Sequence, residues 1–403
     1  MPRAGNQHVS PLVVRQLGGE YRAQLGESPV WDDDSACLYF VDVCARHVCA
    51  LDVVPGGGAA AAGFDEDGSV RVVAELPTAP GCIVPSAKGG FLVAIASKED
   101  GTGGKLRRVV PPTRDGSAGS DDAPPVVLSL DDEADASFPS LCDVLNPNTH
   151  PKMAEVPRQC LNDGACDAKG RVWVGSKILA PVPEDAYVPV DDASTGALRP
   201  NPQPGAGPSG ALFCCESAFA FRGGKACAVG AAQAVPEVGG VHVSNGIGWS
   251  PDGLVMYYAD SPRRCVLAFD FDPNTGVLRG ERVFAATDGA VPGGAKGGVP
   301  DGLAVDAEGG VWVCLWDAGA VVRYVPGGDG GVVDRVVKMP CSRPTSACFG
   351  GGAFATTLFI TTCSRDTTVD EHAESLTGAE PLAGAVFSVD VGVAGVPVHK
   401  AAF

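Results

Sequence analysis

The chain has 403 residues and a formal net charge of -18, and its 54 glycines and 33 prolines separate short apolar runs. No run of Lys and Arg marks a nucleic-acid-binding surface, and no apolar run is long enough to cross a membrane. The turn-rich composition favours many strands over long helices, and a chain of this length buries a large core without a disulfide or metal staple.

The 15 cysteines are an odd number, with no repeating spacing and no Cys-x-x-Cys pair. Several, such as Cys265 and Cys314, lie inside apolar segments, where cysteine serves as a small core residue. The first ten residues contain no apolar stretch of the secretory kind. These features predict free thiols and a reducing, cytoplasmic location.

A short polar turn that leads into an alternating apolar strand recurs along the chain. In order, the turns begin at Trp31, Asp167, Ser250 and Asp306, and the strands cover residues 38–42, 172–174, 256–260 and 311–313. In three of the turns a glycine supplies the positive φ that a hairpin needs. A recurring hairpin is typical of a radial repeat, so the sequence predicts an all-β propeller in which six blades would occupy about 240–300 residues.

The remaining residues are predicted to form loops within one domain that covers residues 1–403. Four segments rich in Gly, Pro, Ser or Asp are interpreted as loop insertions, near 98–125, 140–159, 179–208 and 287–298. No stretch keeps a long 3.6-residue period, so little helix is expected.

Four polar segments each lie a few residues before one of the hairpins. They are Gly26-Glu27-Ser28, Asn162-Asp163-Gly164, Ser244-Asn245-Gly246 and Pro300-Asp301-Gly302. Equivalent positions on successive blades meet at one end of the central channel. Carboxylate and amide oxygens gathered there would suit a hard cation, and an open coordination position would make the site catalytic rather than structural.

Each segment taken alone has a simpler interpretation, because Asn-Gly and Asp-Gly are the commonest hairpin-turn dipeptides. Asp163 in particular is interpreted as mainly a turn residue. The shared offset from a repeat favours a functional site. Other chemistries lack support, because the histidines are scattered and no Gly-x-Ser-x-Gly elbow of a serine esterase is present.

These motifs resemble the regucalcin (senescence marker protein)/gluconolactonase/luciferin-regenerating enzyme family. The resemblance runs from about residue 17 to residue 396 and rests on Gly26-Glu27-Ser28-Pro29-Val30-Trp31, Asn162-Asp163-Gly164 with Asp167 and Gly170-Arg171, Ser244-Asn245-Gly246 with Trp249-Ser250, and Pro300-Asp301-Gly302 with Asp306 and Gly309.

The resemblance implies a six-bladed β-propeller that hydrolyses a sugar lactone with one divalent metal ion: Ca²⁺, Zn²⁺, Mn²⁺ or Mg²⁺. It implies metal ligands at Glu27, Asn245 and Asp301, with Asp301 also the general base and Asn162 in contact with substrate. The expected partner is a small-molecule sugar lactone, with no nucleic acid and no membrane. A non-enzymatic calcium-binding or regulatory protein with the same ligands stays open, as does a scaffold whose loops bind protein.

The segment around residues 158–180 departs from the family pattern. The family usually has an arginine two residues before Asn162, where it holds sugar hydroxyls, and this chain has Cys160 there. Arg158 would face the same side of an extended strand about 6–7 Å away, so it is predicted to bind substrate in place of that arginine; a plain surface role is the alternative. A family Gly-Thr-Met segment is Gly175-Ser176-Lys177 here, and the family's acidic position falls near Ala180.

Overall fold

The computed structural model describes thirteen stretches of the chain. They are residues 12–53, 68–96, 104–112, 124–127, 141–143, 159–179, 186–189, 197–200, 210–215, 241–291, 298–328, 330–365 and 378–402. Arg158 lies outside them. Within these stretches the chain forms strands β1 to β26 and two 3-10 turns, Ser261–Arg263 and Gly352–Phe354, and no α-helix. No helix in this part of the chain is long and apolar enough to span a membrane.

Six inner strands, one from each blade, contact one another in a closed ring around a central channel. In ring order they are β2 (Gly26–Asp32), β6 (Pro80–Pro85), β11 (Gln159–Cys166), β16 (Ser244–Trp249), β20 (Val299–Val305) and β24 (Pro344–Phe349). The six-bladed, all-β propeller predicted from the sequence is therefore confirmed.

Each inner strand starts an antiparallel sheet that runs outward from the channel. The outer strands of blade 1 are β3 (Cys37–Asp42), β4 (His47–Asp52), β5 (Val70–Glu75) and β9 (Val126–Val127). Those of blade 2 are β7 (Phe91–Ile95), β8 (Lys105–Val109) and β10 (Leu141–Asp143). Those of blade 3 are β12 (Val172–Ile178) and β15 (Leu212–Cys215). Those of blade 4 are β17 (Val255–Asp260), β18 (Cys265–Phe271) and β19 (Leu278–Ala286). Those of blade 5 are β21 (Val311–Trp316), β22 (Ala320–Gly327) and β23 (Gly330–Lys338). Those of blade 6 are β25 (Thr357–Thr362), β26 (Val386–Asp390) and β1 (Arg15–Leu17). Among the strands in the described stretches, only β9 pairs in parallel, with β5.

The ring is closed by the two ends of the described chain. Strand β1 pairs antiparallel with β26, so that Arg15 faces Ser388 and Leu17 faces Val386. This pairing joins the first and last blades, while the outermost strand of each blade keeps a short sheet edge. Six apolar clusters, one between each pair of neighbouring blades, form the core.

Strands occur where the sequence predicted loops. Strand β8 falls inside the predicted insertion 98–125 and is the third strand of blade 2, while β10 falls inside 140–159. The loop interpretation is wrong at these positions. Strand β8 was missed because three of its five residues are cations and it shows little apolar alternation. A two-stranded hairpin, β13 (Tyr187–Pro189) and β14 (Leu198–Pro200), lies inside the predicted insertion 179–208.

A buried aspartate braces the hairpin turn in blades 3 and 5. Asp167 accepts hydrogen bonds from the indole Nε1 of Trp173 at 2.9 Å and from Nε of Arg171 at 2.6 Å. Asp306 accepts from Nε1 of Trp312 at 2.8 Å and from Nε of Arg323 at 2.7 Å. The aspartates that the sequence marked as turn residues therefore also hold a tryptophan of the inter-blade core.

Candidate metal and substrate site

Every inner strand carries a β-bulge. The pairing register shifts between Glu27 and Val30, Pro80 and Ile83, Leu161 and Gly164, Ser244 and Ile247, Pro300 and Leu303, and Pro344 and Ala347. A bulge breaks the alternation of a strand and re-aims side chains next to it. The four polar segments lie at four of these bulges, so the offset that they share in the sequence is the position of the bulge in each blade.

Gly246 and Gly302, which end two of these segments, are required by close contact between blades. A Cβ on Gly246 would lie 2.7 Å from Cγ of Leu303 on the next inner strand. A Cβ on Gly302 would overlap the side chain of Ser346. Neither glycine has a positive φ. The turn interpretation of these Asn-Gly and Asp-Gly pairs is therefore wrong, since the glycines serve the approach of neighbouring strands.

Ser28 fixes the bulge of the first blade. It is buried and has a φ of 48°. This left-handed conformation is energetically unfavourable for any residue that has a Cβ atom. Its Oγ accepts a hydrogen bond from the amide of Ile83 at 3.0 Å and donates to the carbonyl of Ile83 at 3.1 Å. These bonds to blade 2 hold the strained backbone and with it the orientation of Glu27.

Glu27 and Asp301 bring two carboxylates close together. Burial raises the pKa of Glu27 well above its usual value, and the charges of Asp301 and Asp163 raise it further. Burial also raises the pKa of Asp301, and the charge of Asp163 adds to this shift. No ion pair to either carboxylate is present in the described residues. Two desolvated carboxylates without a paired cation are the kind of oxygen ligands that a divalent metal ion takes.

A chain of hydrogen bonds positions Asn245 and ties three blades together. Asn162 Nδ2 donates to the Ser244 carbonyl at 2.7 Å and to Asn245 Oδ1 at 2.9 Å. Asn245 Nδ2 donates to Ser261 Oγ at 2.6 Å, and that hydroxyl donates to the carbonyl of Pro300 at 2.7 Å. This series of hydrogen bonds ends at Pro300, one residue before Asp301. The predicted neighbours Asn162, Asn245 and Asp301 therefore meet at this level of the channel.

The donor set fits a hard cation. In the described part of the chain, no three His, Cys, Asp or Glu side chains are grouped closely enough to hold a metal ion. A third protein ligand beside Glu27 and Asp301 would have to be a neutral oxygen, and Asn245 Oδ1 is the sequence-predicted candidate. Oxygen ligands of this kind suit Ca²⁺, Mg²⁺ or Mn²⁺ and are also tolerated by Zn²⁺.

Asp163 lies in the bulge of β11 and not in a hairpin turn, so its interpretation as a turn residue is wrong. Its carboxylate accepts a hydrogen bond from the amide of Gly164 at 2.8 Å. Burial raises the pKa of Asp163 to about 6. The bulge position of Asp163 could not be predicted from the sequence, because Asp-Gly is equally common in turns.

Lys177 is a cation of the site that the sequence did not single out. It lies on β12 directly opposite Cys160 of β11. Its charge opposes the raised pKa values of Glu27 and Asp301. Arg158, the predicted substrate-binding cation, lies outside the described residues, so the structure does not test it.

A cavity of about 440 Å³ occupies the channel beyond the bulges. Ser28 and Asp163 line it, but Glu27, Asn245 and Asp301 do not, and most of its wall is apolar. The carboxy-terminal segment 396–402 crosses this end of the channel. Val396 donates to the carbonyl of Val305 at 3.1 Å, and Ala401 donates to that of Pro85 at 2.7 Å. Residues 396–399 therefore form part of the wall of this cavity.

Residues 25–364 match the family described as the SMP-30/Gluconolactonase/LRE-like region. The chain belongs to this family. The regucalcin of Danio rerio is 27% identical over 378 residues, covering 94% of each chain. The 6-deoxy-6-sulfogluconolactonase of Pseudomonas putida is 28% identical over 385 residues, covering 95% of each chain. The family resemblance predicted from the motifs is thus confirmed.

Solved structures of the family share the fold. A luciferin-regenerating enzyme superposes with a TM-score of 0.63 at 21% identity, covering 97% of this chain and 100% of that chain. A calcium-binding protein, the regucalcin of Agrobacterium tumefaciens, superposes with a TM-score of 0.58 at 19% identity, covering 98% of each chain. At these identities the likeness extends to the propeller architecture of the family and no further.

Metal binding is expected to weaken as the pH falls and to release protons. Because the pKa values of Glu27 and Asp301 are raised, a metal ion must displace protons from them at a higher pH than from ordinary carboxylates. Below the raised pKa, each displaced proton lowers the apparent affinity about tenfold per pH unit. Calorimetric titration at about pH 6 and about pH 8, in buffers of different ionisation enthalpy, measures both effects. An affinity that is independent of pH, without proton release, would contradict this prediction.

Proposed function

We propose that this protein is a divalent-metal-dependent lactonase that hydrolyses a sugar lactone of the gluconolactone type. The observation that supports it most is the electrostatic effect of Asp301 on buried Glu27, together with the hydrogen bonds that join Asn245 through Ser261 to the carbonyl of Pro300, next to Asp301. The similarity to a 6-deoxy-6-sulfogluconolactonase over nearly the whole chain also supports hydrolysis of a sugar lactone.

In this proposal Glu27, Asn245 and Asp301 hold one divalent ion: Ca²⁺, Zn²⁺, Mn²⁺ or Mg²⁺. When bound, the ion supplies Lewis acidity that polarises the lactone carbonyl and lowers the pKa of water. Asn162, which donates to Asn245, is the proposed contact to substrate hydroxyls, and Arg158 stays a candidate for the same task.

Asp301 acts as the general base in this scheme. It takes a proton from the attacking water, whose oxygen forms a bond to the carbonyl carbon of the lactone. The ring ester C–O bond then breaks, and the released ring oxygen takes a proton to give the open-chain hydroxy acid.

A second candidate is a non-enzymatic calcium-binding or regulatory protein that uses the same ligands. The regucalcins among the relatives favour it. A panel of neutral and charged sugar lactones, assayed on chelated protein and after addition of each of the four metals, separates the two. We expect turnover of at least one lactone that is lost on chelation and restored by metal. Metal binding without turnover of any lactone would instead support the regulatory function.

We also infer a cytoplasmic location. None of the thirteen cysteines whose side chains are described forms a disulfide bond, and most of them are buried in the sheets. Burial raises the pKa of several of these thiols, such as Cys166 and Cys348, which keeps them unreactive. Free thiols in this number are typical of a reducing compartment.

A further inference from the structure

The side of β12 that carries Lys177 faces the metal-ligand strand of the next blade. Gly175 lies two residues before Lys177, so both share one side of the strand. A Cβ on Gly175 would overlap the side chain of Ser244. The backbone of Lys177 also bridges to Val243, next to Ser244. Lys177 therefore projects toward the strand that positions Asn245.

Lys177 and Cys160 form a directly opposed cross-strand pair. The Cβ atoms of such a pair lie about 4.5–5.5 Å apart on one side of the sheet. The small Cys160 side chain leaves room for the longer lysine to lie across it. Cys160 lies two residues before Asn162 in the same strand, so the pair lies near the start of the segment that carries Asn162.

The N–H donors of the Lys177 ammonium group have no hydrogen-bond partner among the described residues. Its side chain is only partly buried, and in the described residues it makes no hydrogen bond and no ion pair. It has three N–H donors. Its charge reaches Glu27, Asp301 and Cys160, whose pKa values it lowers from the level that burial sets. Once a metal ion occupies the two carboxylates, these donors are available to a substrate.

The charges of the site indicate what kind of substrate that is. Glu27, Asp163 and Asp301 carry three negative charges when ionised, and a divalent ion together with Lys177 offsets all three. The loaded site is then neutral, and the chain around it carries a formal charge of -18. A net negative field disfavours an anionic ligand and leaves a neutral one unaffected.

We propose that Lys177 is a substrate-binding residue that donates hydrogen bonds to the hydroxyl oxygens of a neutral, polyhydroxylated lactone. This inference rests on the proposed lactonase function and deepens it by naming the cation that holds the sugar. Hydrogen bonds from a charged donor are stronger than those between neutral groups. Because the hydroxyls are bound alike before and during the reaction, the contribution of Lys177 falls on KM.

Lys177→Met tests the proposal, since methionine keeps an unbranched chain and removes the charge. With D-glucono-1,5-lactone we expect KM to rise about 10- to 100-fold while kcat changes less than about threefold. Lys177→Arg should recover most of the loss. Lys169→Met, which removes an exposed lysine of the same blade, is the matched control and should leave both constants unchanged.

Binding without turnover separates this inference from the proposed function. D-glucono-1,5-lactam resists hydrolysis, and calorimetry should show its affinity for Lys177→Met reduced by the same factor as KM rises. If the wild type turns over lactones and the variant keeps its KM and its lactam affinity, the role of Lys177 is overturned and the lactonase stands. If no lactone is turned over but the lactam binds through Lys177, the lactonase fails and the sugar contact stands. Absence of both overturns both.

Two further outcomes would also overturn the inference. One is a variant that changes only its metal affinity, because Lys177 would then act through the ion alone. The other is a wild type that prefers a lactone bearing a carboxylate, such as a glucaric acid lactone, with the preference lost in Lys177→Met. In that case Lys177 would recognise an anion, and the neutral substrate class would be wrong.

Discussion

Asp301→Asn is expected to lower kcat by about 10²- to 10⁴-fold even when metal is saturating. Asparagine keeps the size of the side chain and one oxygen ligand, but it cannot take a proton from water. Weaker metal binding is expected as well, because one of two ligating carboxylates is lost. Steady-state kinetics at increasing metal concentrations measures the two effects separately, since only the loss of affinity is overcome by added metal.

The fold of this variant is expected to survive, because burial raises the pKa of Asp301 and ionisation of the native side chain therefore costs stability in the metal-free protein. Asp163→Asn should lose less activity, since Asp163 neighbours the ligands without completing a three-carboxylate group. Asp252→Asn changes an exposed turn and should leave kcat and KM unchanged. Recovery of near wild-type turnover by Asp301→Asn at saturating metal would show that Asp301 is a ligand only.

Asp306→Ala is expected to lower the free energy of unfolding by about 3–5 kcal/mol. Asp306 is fully buried and pairs with Arg323, whose side chain is 4% exposed. Its Oδ1 also accepts from the amides of Glu308 and Gly310, at 3.0 and 2.8 Å. Alanine leaves these donors and the indole of Trp312 without their shared acceptor. Denaturation by urea, with the midpoint and slope compared to wild type, measures the loss.

Asp252→Ala is the matched control for this stability effect. Asp252 occupies the hairpin turn of blade 4, where it accepts hydrogen bonds from Ser250 Oγ and the amide of Leu254 at the surface. We expect its loss to cost about 0.5 kcal/mol or less, as for most surface changes. A cost for Asp306→Ala as small as that of the control would mean that the buried network contributes little.

Much of the fold was predictable because its signals are local. The hairpin of blade 4 was predicted from Ser250-Pro251-Asp252-Gly253 and strand 256–260, and the structure has β17 at Val255–Asp260. A turn glycine and alternating apolar residues act within about ten residues of one another. Strand β8 escaped prediction because its sequence, Lys-Leu-Arg-Arg-Val, owes its strand conformation to pairing with β7 and β10.

The positions of the proposed metal ligands were predictable for a related reason. Glu27, Asn245 and Asp301 each lie at the bulge of an inner strand, so a repeated local offset marks all three. The family resemblance then assigned their roles, which stay proposals until metal binding is measured. For Asp163 the same signal was misleading, because a bulge and a hairpin turn use the same Asp-Gly dipeptide.

The sequence by itself determined the all-β class, the repeated hairpins, the six-bladed ring through its family resemblance, and the segments that carry the ligands. Only the tertiary structure decided which charges act on one another. Asp163 and Lys177 perturb Glu27 although well over 100 residues separate them along the chain, because ring closure brings blades 1, 3 and 5 around one channel. Coulomb interactions depend on distance in space, and strand register sets that distance: pairing with Cys160 turns Lys177 toward the site, and a shift of one residue would turn it away.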